Sequence, residues 1–286
     1  MSQGAQVMRC IVSFVLCVAI LGSASGASVD GVEIYWESHG EGPAIVLIHG
    51  WTCDTTVWAD QVAGFSDDYR VIALDLPGHG QSGAPANEAF TTALYSDAIE
   101  AVLVEAGVER AVLVGHSMGV PVIANYARAY PDRVAALVSV DGPDVPQPQS
   151  PSAAPAAEEA AAPAQPFAMD RDAREAAIRS FFVPATSEDI REQVLDIMLA
   201  PSDERAAAII TPFFNPASES LLVPEPQFRH LIVFAGNRPP MNAEVLRERT
   251  ATTQFVQMPE TGHFLMMEQP VQFNAEMAAF LDDIEF

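Results

Sequence analysis

AVLVGHSMG, Ala111 to Gly119, is the stretch on which the reading of the fold turns. Its first four residues are apolar and run straight into Gly115. A short apolar run closed by glycine reads as a strand buried on both faces, as in a parallel sheet. From Met118 to Tyr130 the pattern is that of a helix. Between the two, Gly115-His116-Ser117-Met118-Gly119 fits G-x-S-x-G, which between a strand and a helix describes a nucleophile elbow. The two glycines carry no Cβ, so the chain can turn tightly and lift the Ser117 hydroxyl over the sheet edge. Pro121 is tolerated in the first helical turn, where its missing N–H would have been unpaired anyway.

Outward from the elbow, strand-like and helix-like stretches alternate. Val32–Trp36, Ile45–His49, Val71–Leu74, Val134–Val140, Leu231–Ala235 and Thr253–Met258 read as further strands. Thr56–Gly64, Thr91–Ala106 and Val271–Leu281 read as helices. Such alternation predicts an α/β fold, with a doubly wound, mostly parallel sheet. The alternation stops between Gly142 and Gln227. Pro143–Phe167 holds seven Pro and eight Ala in 25 residues, a linker composition that cannot bury a core. Helical patterns follow at Arg171–Phe182, Glu188–Leu199 and Asp203–Ile210, with Ser187 and Ser202 at N-cap positions ahead of acids. The expected organisation is a core at 28–142 and 228–286. Residues 143–227 form a Pro/Ala-rich linker and a small helical lid, inserted after the strand that ends at Asp141.

Residues 1–27 read as a secretory signal peptide. Arg9 precedes an apolar run of about 12 residues, Cys10–Leu21, too short to span a bilayer comfortably, and small residues follow at 22–27. The expected location is secreted or periplasmic after cleavage, with no stable membrane insertion. Cleavage would leave Cys53 as the sole cysteine, so no intramolecular disulfide is open to the mature chain, and a buried thiol is expected.

The 286 residues carry 38 Asp plus Glu against 14 basic residues, a net charge of −24. Every basic residue is Arg. This balance excludes nucleic acid as a partner, because that affinity rests on basic groups neutralising phosphates. It also disfavours anionic substrates such as acyl-CoA, which the overall field repels. A small, uncharged substrate is expected; the oligomeric state is left open. The same surplus predicts a salt-tolerant protein, since dissolved ions screen repulsion between surface acids. The melting temperature is expected to hold or rise as NaCl goes from low to molar concentration; a steady fall would refute this.

The remaining chemistry also lies at strand ends. His49-Gly50-Trp51 closes the Ile45 strand. Gly50 lets the backbone approach the elbow, so that the N–H groups of Trp51 and Met118 can form an oxyanion hole. His263, in Gly262-His263-Phe264, follows the last strand and is the candidate general base for Ser117. Of the other histidines, His39 sits in a hairpin-like turn, His79 in Pro77-Gly78-His79-Gly80, His116 in the elbow and His230 just before a strand. His49 reads as structural. No phosphate-cradling glycine motif and no metal-ligand spacing are present, so no cofactor or metal is implied.

HGWT at 49–52, DLPGHGQS at 75–82, GHSMG at 115–119 and TGHFLMMEQP at 261–270 resemble the α/β-hydrolase superfamily, in the branch with esterases, enol-lactonases, C–C bond hydrolases and cofactor-free haloperoxidases. The resemblance covers about Val32 to Phe286 apart from the Pro/Ala stretch. It implies Ser117 as nucleophile, His263 as base, the Trp51 and Met118 N–H groups as oxyanion donors, and a structural Asp75. Epoxide hydrolases and haloalkane dehalogenases resemble this fold but carry Asp at the elbow, so Ser117 argues against both. The family acid usually follows the penultimate strand as G-x-x-D. Here that stretch is Gly236-Asn237-Arg238-Pro239, and proline cannot orient an imidazole. Asp141, at the end of the strand after the elbow helix, is the leading candidate. Glu244, Asn237 or no acid at all remain as alternatives.

The resulting expectation is an exported serine hydrolase that cleaves carboxylic esters or lactones of small-to-medium apolar compounds through a Ser-His-Asp acyl-enzyme. Perhydrolysis or C–C cleavage would use the same residues. A rival of another class, motivated by Pro239, is a non-catalytic ligand-binding protein on the same fold.

Overall fold

The computed structural model describes residues 26–143, 170–214, 228–237 and 252–286. Residues 1–25 of the expected leader and nearly all of the Pro/Ala-rich stretch lie outside them, as do Phe167, Pro239 and Glu244. A seven-stranded sheet runs through the molecule. Its strands are β3 (Trp36–His39), β4 (Ala44–Ile48), β5 (Arg70–Leu74), β6 (Ala111–His116), β7 (Val134–Val140), β8 (Arg229–Ala235) and β9 (Thr253–Met258), in the spatial order β3-β5-β4-β6-β7-β8-β9. Only β3 is antiparallel to its neighbour; every other pairing is parallel.

Period-two geometry sorts the apolar runs onto two faces. Val46, Ile48, Ile72, Leu74 and Leu113 join one core cluster with residues of α2 (Thr92–Glu105) and α3 (Gly119–Ala129). Ile45, Leu47, Val71, Ala73, Val112 and Val114 join the other. There they pack with residues of α7 (Leu265–Glu268) and α8 (Pro270–Leu281), and with Phe65 of α1 (Ala59–Phe65). Both faces are covered, so the continuous apolar runs are accounted for.

The first expected strand is divided. Val32–Glu33 (β2) pairs instead with Ser28–Val29 (β1) across a two-residue turn, Asp30-Gly31, where φ is +50° and +79°. An Asp-Gly pair with both φ positive is the favoured hairpin turn. Residues 34 and 35 then leave the ladder. Ile34 N–H donates to Ala27 C=O at 2.9 Å, Tyr35 N–H to the Ser82 hydroxyl at 2.9 Å, and Tyr35 C=O accepts from Asp75 N–H at 3.0 Å. Two histidines also move: His39 ends β3 rather than sitting in a turn, and His230 lies inside β8, its Nε2 2.8 Å from the Ser139 hydroxyl. A 3-10 turn, Thr55–Trp58, stands where α1 was expected to begin.

Between β7 and β8 lie α4 (Arg171–Arg179), α5 (Glu188–Leu199) and α6 (Asp203–Ile210). Ser187 and Ser202 accept from the N–H groups of Ile190 and Arg205 and so cap α5 and α6. α4 ends three residues before Phe182, and Phe181 and Phe182 fall in the turn that follows. Ile178, Val194 and Met198 join the Ile45 face cluster, while Ile209 and Phe213 join the Val46 face cluster. The insert therefore straddles the sheet rather than lying on one face. Arg174, buried, fastens α4 to the α5–α6 turn by an ion pair to Asp203 at 2.9 Å and a hydrogen bond to Pro201 C=O at 2.8 Å.

This strand order sets where a ligand can bind. The chain passes from β4 to β5 on one side, then returns to place β6 on the other side of β4. The carboxyl ends of β4 and β6 thus face a topological switch point, where open α/β sheets bind ligands. His49-Gly50 leaves β4 there, and Ser117 leaves β6.

Candidate active site

Ser117 has φ +53°, a left-handed conformation that is uncommon for a non-glycine residue. The surroundings over-determine it. Ser117 N–H donates to Val140 C=O at 2.9 Å, and its own C=O accepts from Val120 N–H at 3.0 Å. A Cβ on Gly115 would lie 2.5 Å from Gly119 C=O oxygen, and one on Gly119 would lie 2.5 Å from the Ile48 oxygen. Both glycines of the motif are therefore required by close backbone approach. Thr52, Asp141 and Glu260 are also left-handed, at the loops after β4, β7 and β9. Four of the six such residues among those described thus ring one edge of the sheet, as strained backbone does at functional sites.

His263 and Asp141 meet. His263 Nδ1 lies 2.6 Å from Asp141 Oδ2, and the two side chains are 11% and 2% exposed. The second carboxylate oxygen, Oδ1, accepts Ala235 N–H at 3.1 Å, and Asp141 N–H donates to Val233 C=O at 2.9 Å. The acid is thus anchored to β8 at both backbone and side chain. A charge-assisted bond from Nδ1–H leaves Nε2 as the proton acceptor of the ring. Asn237, weighed as an alternative acid position, donates its N–H to Thr261 C=O at 3.2 Å. The described residues contain no hydrogen bond between the Ser117 hydroxyl and His263; in ligand-free sites such contacts are often long and tighten on substrate binding.

The oxyanion candidates lie beside Ser117, Trp51 through the neighbouring Gly50 and Met118 as the next residue in the chain. A Cβ built on Gly50 would lie 3.1 Å from Ser117 Cβ, so the peptide leading into Trp51 passes directly beside the serine. The turn is closed by Cys53 N–H to Gly50 C=O at 3.2 Å. Trp51 Nε1 donates to Ala206 C=O of α6 at 2.8 Å, which ties this loop to the insert. Met118 immediately precedes α3, where N–H groups lack an intrahelical acceptor and face developing negative charge favourably.

Burial favours the neutral form of three other histidines, His49, His79 and His116. His49 Nε2 accepts Leu76 N–H at 3.0 Å while Nδ1 contacts Gly50 C=O at 2.8 Å, which fixes the tautomer; burial lowers its pKa. Burial also pushes His79 well down, and His116 down to about 3, with the adjacent His263 adding to the latter. His116 Nε2 donates to the His263 C=O at 2.8 Å. Asp75 accepts N–H groups from Thr55 at 2.8 Å and Gln81 at 2.7 Å, a loop-holding role. Cys53 is buried in the core, and desolvation raises its thiol pKa. It borders a cavity of about 600 Å³ shared with Thr52, Asp75 and Arg205; neither Ser117 nor His263 lines that space. Among the described residues no group of three or more His, Cys, Asp or Glu is arranged to hold a metal, and no helix is long and apolar enough to cross a membrane.

Residues 43–183 match the family model of the alpha/beta hydrolase fold. An esterase from Thermogutta terrifontis superposes with a TM-score of 0.73 at 27% identity, over 90% of this chain and 96% of that one. The chain belongs to the α/β-hydrolase superfamily. Among curated relatives, the dihydrolipoyllysine-residue acetyltransferase component of the acetoin cleaving system of Cupriavidus necator is 42% identical over 119 residues, 41% of this chain and 32% of the relative. A pimeloyl-[acyl-carrier protein] methyl ester esterase of Aliivibrio salmonicida is 36% identical over 108 residues, 38% of this chain and 39% of the relative. The matched region thus spans about a third of the length of these curated relatives.

Proposed function

We propose that the protein is an exported serine hydrolase that cleaves carboxylic esters or lactones of small-to-medium apolar compounds. The observation that carries this reading is the 2.6 Å contact between Asp141 and His263 at the same sheet edge as the elbow serine. It removes the motive for the ligand-binding rival, which was the absence of an acid at position 239. The likeness to the Thermogutta and Aliivibrio proteins, both named as esterases, supports the choice of acyl transfer. The Cys10–Leu21 run supports export.

In this mechanism His263 Nε2 takes the Ser117 proton as the hydroxyl oxygen attacks the ester carbonyl. Asp141 holds the Nδ1–H tautomer and stabilises the imidazolium. The N–H groups of Trp51 and Met118 receive the oxyanion. His263 then returns the proton to the departing alcohol, leaving an acyl group on Ser117. A water, deprotonated by the same ring, releases the acid.

Phe181 bears on the substrate. Its ring centroid is 4.5 Å from that of His263, whereas Met198 and Phe213, apolar residues of the same insert, are buried in the core clusters. An aromatic wall at the base favours uncharged, apolar groups. A chromogenic ester panel of varied acyl length, run beside a fluorophosphonate probe, tests both points. Labelling and turnover of neutral short-to-medium esters are expected, with anionic esters disfavoured. Folded protein that takes no label would overturn the enzyme reading in favour of the binding protein.

A further inference from the structure

His263 is held by more than its ring. Its N–H donates to the Phe181 C=O at 2.9 Å, and its C=O accepts from the His116 ring at 2.8 Å. Its two backbone groups are thus claimed by the insert on one side and the elbow strand on the other. The residue before it is held as well: Gly262 N–H donates to Glu268 Oε2 at 2.5 Å. The other oxygen of the same carboxylate, Oε1, accepts from the Thr186 hydroxyl at 3.1 Å. Thr186 belongs to the α4–α5 turn, where its hydroxyl also accepts Val183 N–H at 3.0 Å. Arg191 of α5 closes the arrangement by donating to the C=O groups of Val183, at 2.5 Å, and Thr186, at 3.0 Å. The fit at Gly262 is tight: a Cβ there would lie 2.3 Å from the Phe181 oxygen and 2.9 Å from Glu268 Oε1. Glu268 is half-buried, and desolvation raises its carboxyl pKa, a cost that the Gly262 and Thr186 hydrogen bonds offset in part.

We infer that Glu268 is a positioning residue for the base: its carboxylate joins Gly262 to Thr186 and so fastens the His263 loop to the α4–α5 turn of the insert. The insert is then part of the catalytic centre's frame as well as its cover. This rests on the assignment of His263 as the base. The loop after β9 is tied to β8 as well, through Gly236 N–H to the Thr261 hydroxyl at 3.1 Å and Asn237 N–H to Thr261 C=O; the Glu268 carboxylate is what holds Gly262, the residue next to the base. With Glu268 gone, Gly262 N–H loses its acceptor and the imidazole loses its register with Ser117. Misplacement on the order of 1 Å costs about 10²-fold in such sites.

The test uses the full-length protein and the variants Glu268→Ala, Glu268→Gln and Thr186→Val. For each, kcat and KM are measured on a neutral chromogenic ester, and the downfield proton resonance of the His263–Asp141 hydrogen bond is recorded without substrate. Glu268→Ala is expected to lower kcat about tenfold to a hundredfold with a smaller change in KM. It should also broaden or remove the downfield resonance. Glu268→Gln keeps an acceptor for Gly262 N–H and should recover most of the rate. Thr186→Val cuts the tie to the insert, and with it the acceptor of Val183 N–H inside the turn, but leaves Gly262 its acceptor, so it should fall between; it also serves if Glu268→Ala does not fold. Variants that melt earlier yet keep wild-type kcat and an unchanged resonance would overturn the inference, because the contact would then serve stability alone. A wild-type protein without esterase activity would overturn the proposed function instead, while the resonance would still report on the clamp.

Discussion

Ser117→Ala is expected to abolish ester hydrolysis and to leave the fold intact. The serine hydroxyl makes no hydrogen bond among the described residues, so its removal orphans no partner there. The backbone at 117 stays left-handed in either variant, since Ser and Ala share a Cβ and therefore the same steric demand at φ +53°. Close packing of Gly115 and Gly119 holds the turn whatever side chain stands between them. Loss of a triad serine costs about 10⁶-fold in kcat in a well-studied protease, and a comparable fall would take turnover to the assay floor here. Any residue of rate would come from the oxyanion donors and substrate binding. The measurements are kcat on the preferred ester, fluorophosphonate labelling and the thermal transition. Near-wild-type turnover or retained labelling in the Ala variant would place the nucleophile elsewhere, and a large drop in melting temperature would mean that the hydroxyl has an undetected structural role.

How far the sequence could be read depended on whether the controlling interactions were local. The elbow was legible because both of its glycines act on atoms within a few residues or on the adjacent strand, and G-x-S-x-G records that constraint directly. The exact strands Val134–Val140 and Thr253–Met258 and the helices Glu188–Leu199 and Asp203–Ile210 were legible for the same reason: apolar runs end on turn residues, and helices start on capping serines. The first strand was misread because its division depends on Tyr35 meeting Ser82 and Asp75 about 40 positions away. Asp141 emerged by elimination, since Pro239 stands where the family's acid would be. What held it in place, the Ala235 N–H and the His263 ring, lies about 94 and 122 positions further along the chain. The supports of His263 were not legible at all. His116, Phe181 and Glu268 act through or upon backbone groups, and backbone acceptors leave no trace in residue type. The one available signal was the Glu within TGHFLMMEQP, five residues after the histidine, where a carboxylate can fold back onto the loop that precedes its short helix.

Asp141→Asn is expected to lower kcat by at least about 10²-fold, and by up to about 10⁴-fold if nothing substitutes for the lost charge. The geometry dictates the mechanism of that loss. In the native site Oδ1 accepts Ala235 N–H and Oδ2 accepts the His263 ring N–H. An asparagine must keep its carbonyl oxygen toward Ala235, because a backbone donor there cannot face an amide NH₂. The NH₂ is then turned toward His263 Nδ1. It is itself a donor, so the ring can meet it only by giving up the Nδ1 proton and carrying one on Nε2. That tautomer presents N–H, not a lone pair, to Ser117, and the serine keeps its proton. Flipping the amide restores the His263 contact only by setting donor against donor at Ala235, inside a site that is 2% exposed at the acid. Fold and backbone should tolerate the change: Asp141 sits at φ +45°, where asparagine is among the best accepted residues. The readout is kcat on a neutral ester at fixed pH, together with the thermal transition. A variant with wild-type turnover would show that Asp141 only closes the end of β7. A variant that is slow but takes the fluorophosphonate label at a correspondingly reduced rate would tie the defect to the tautomer of the base rather than to the serine or the oxyanion donors.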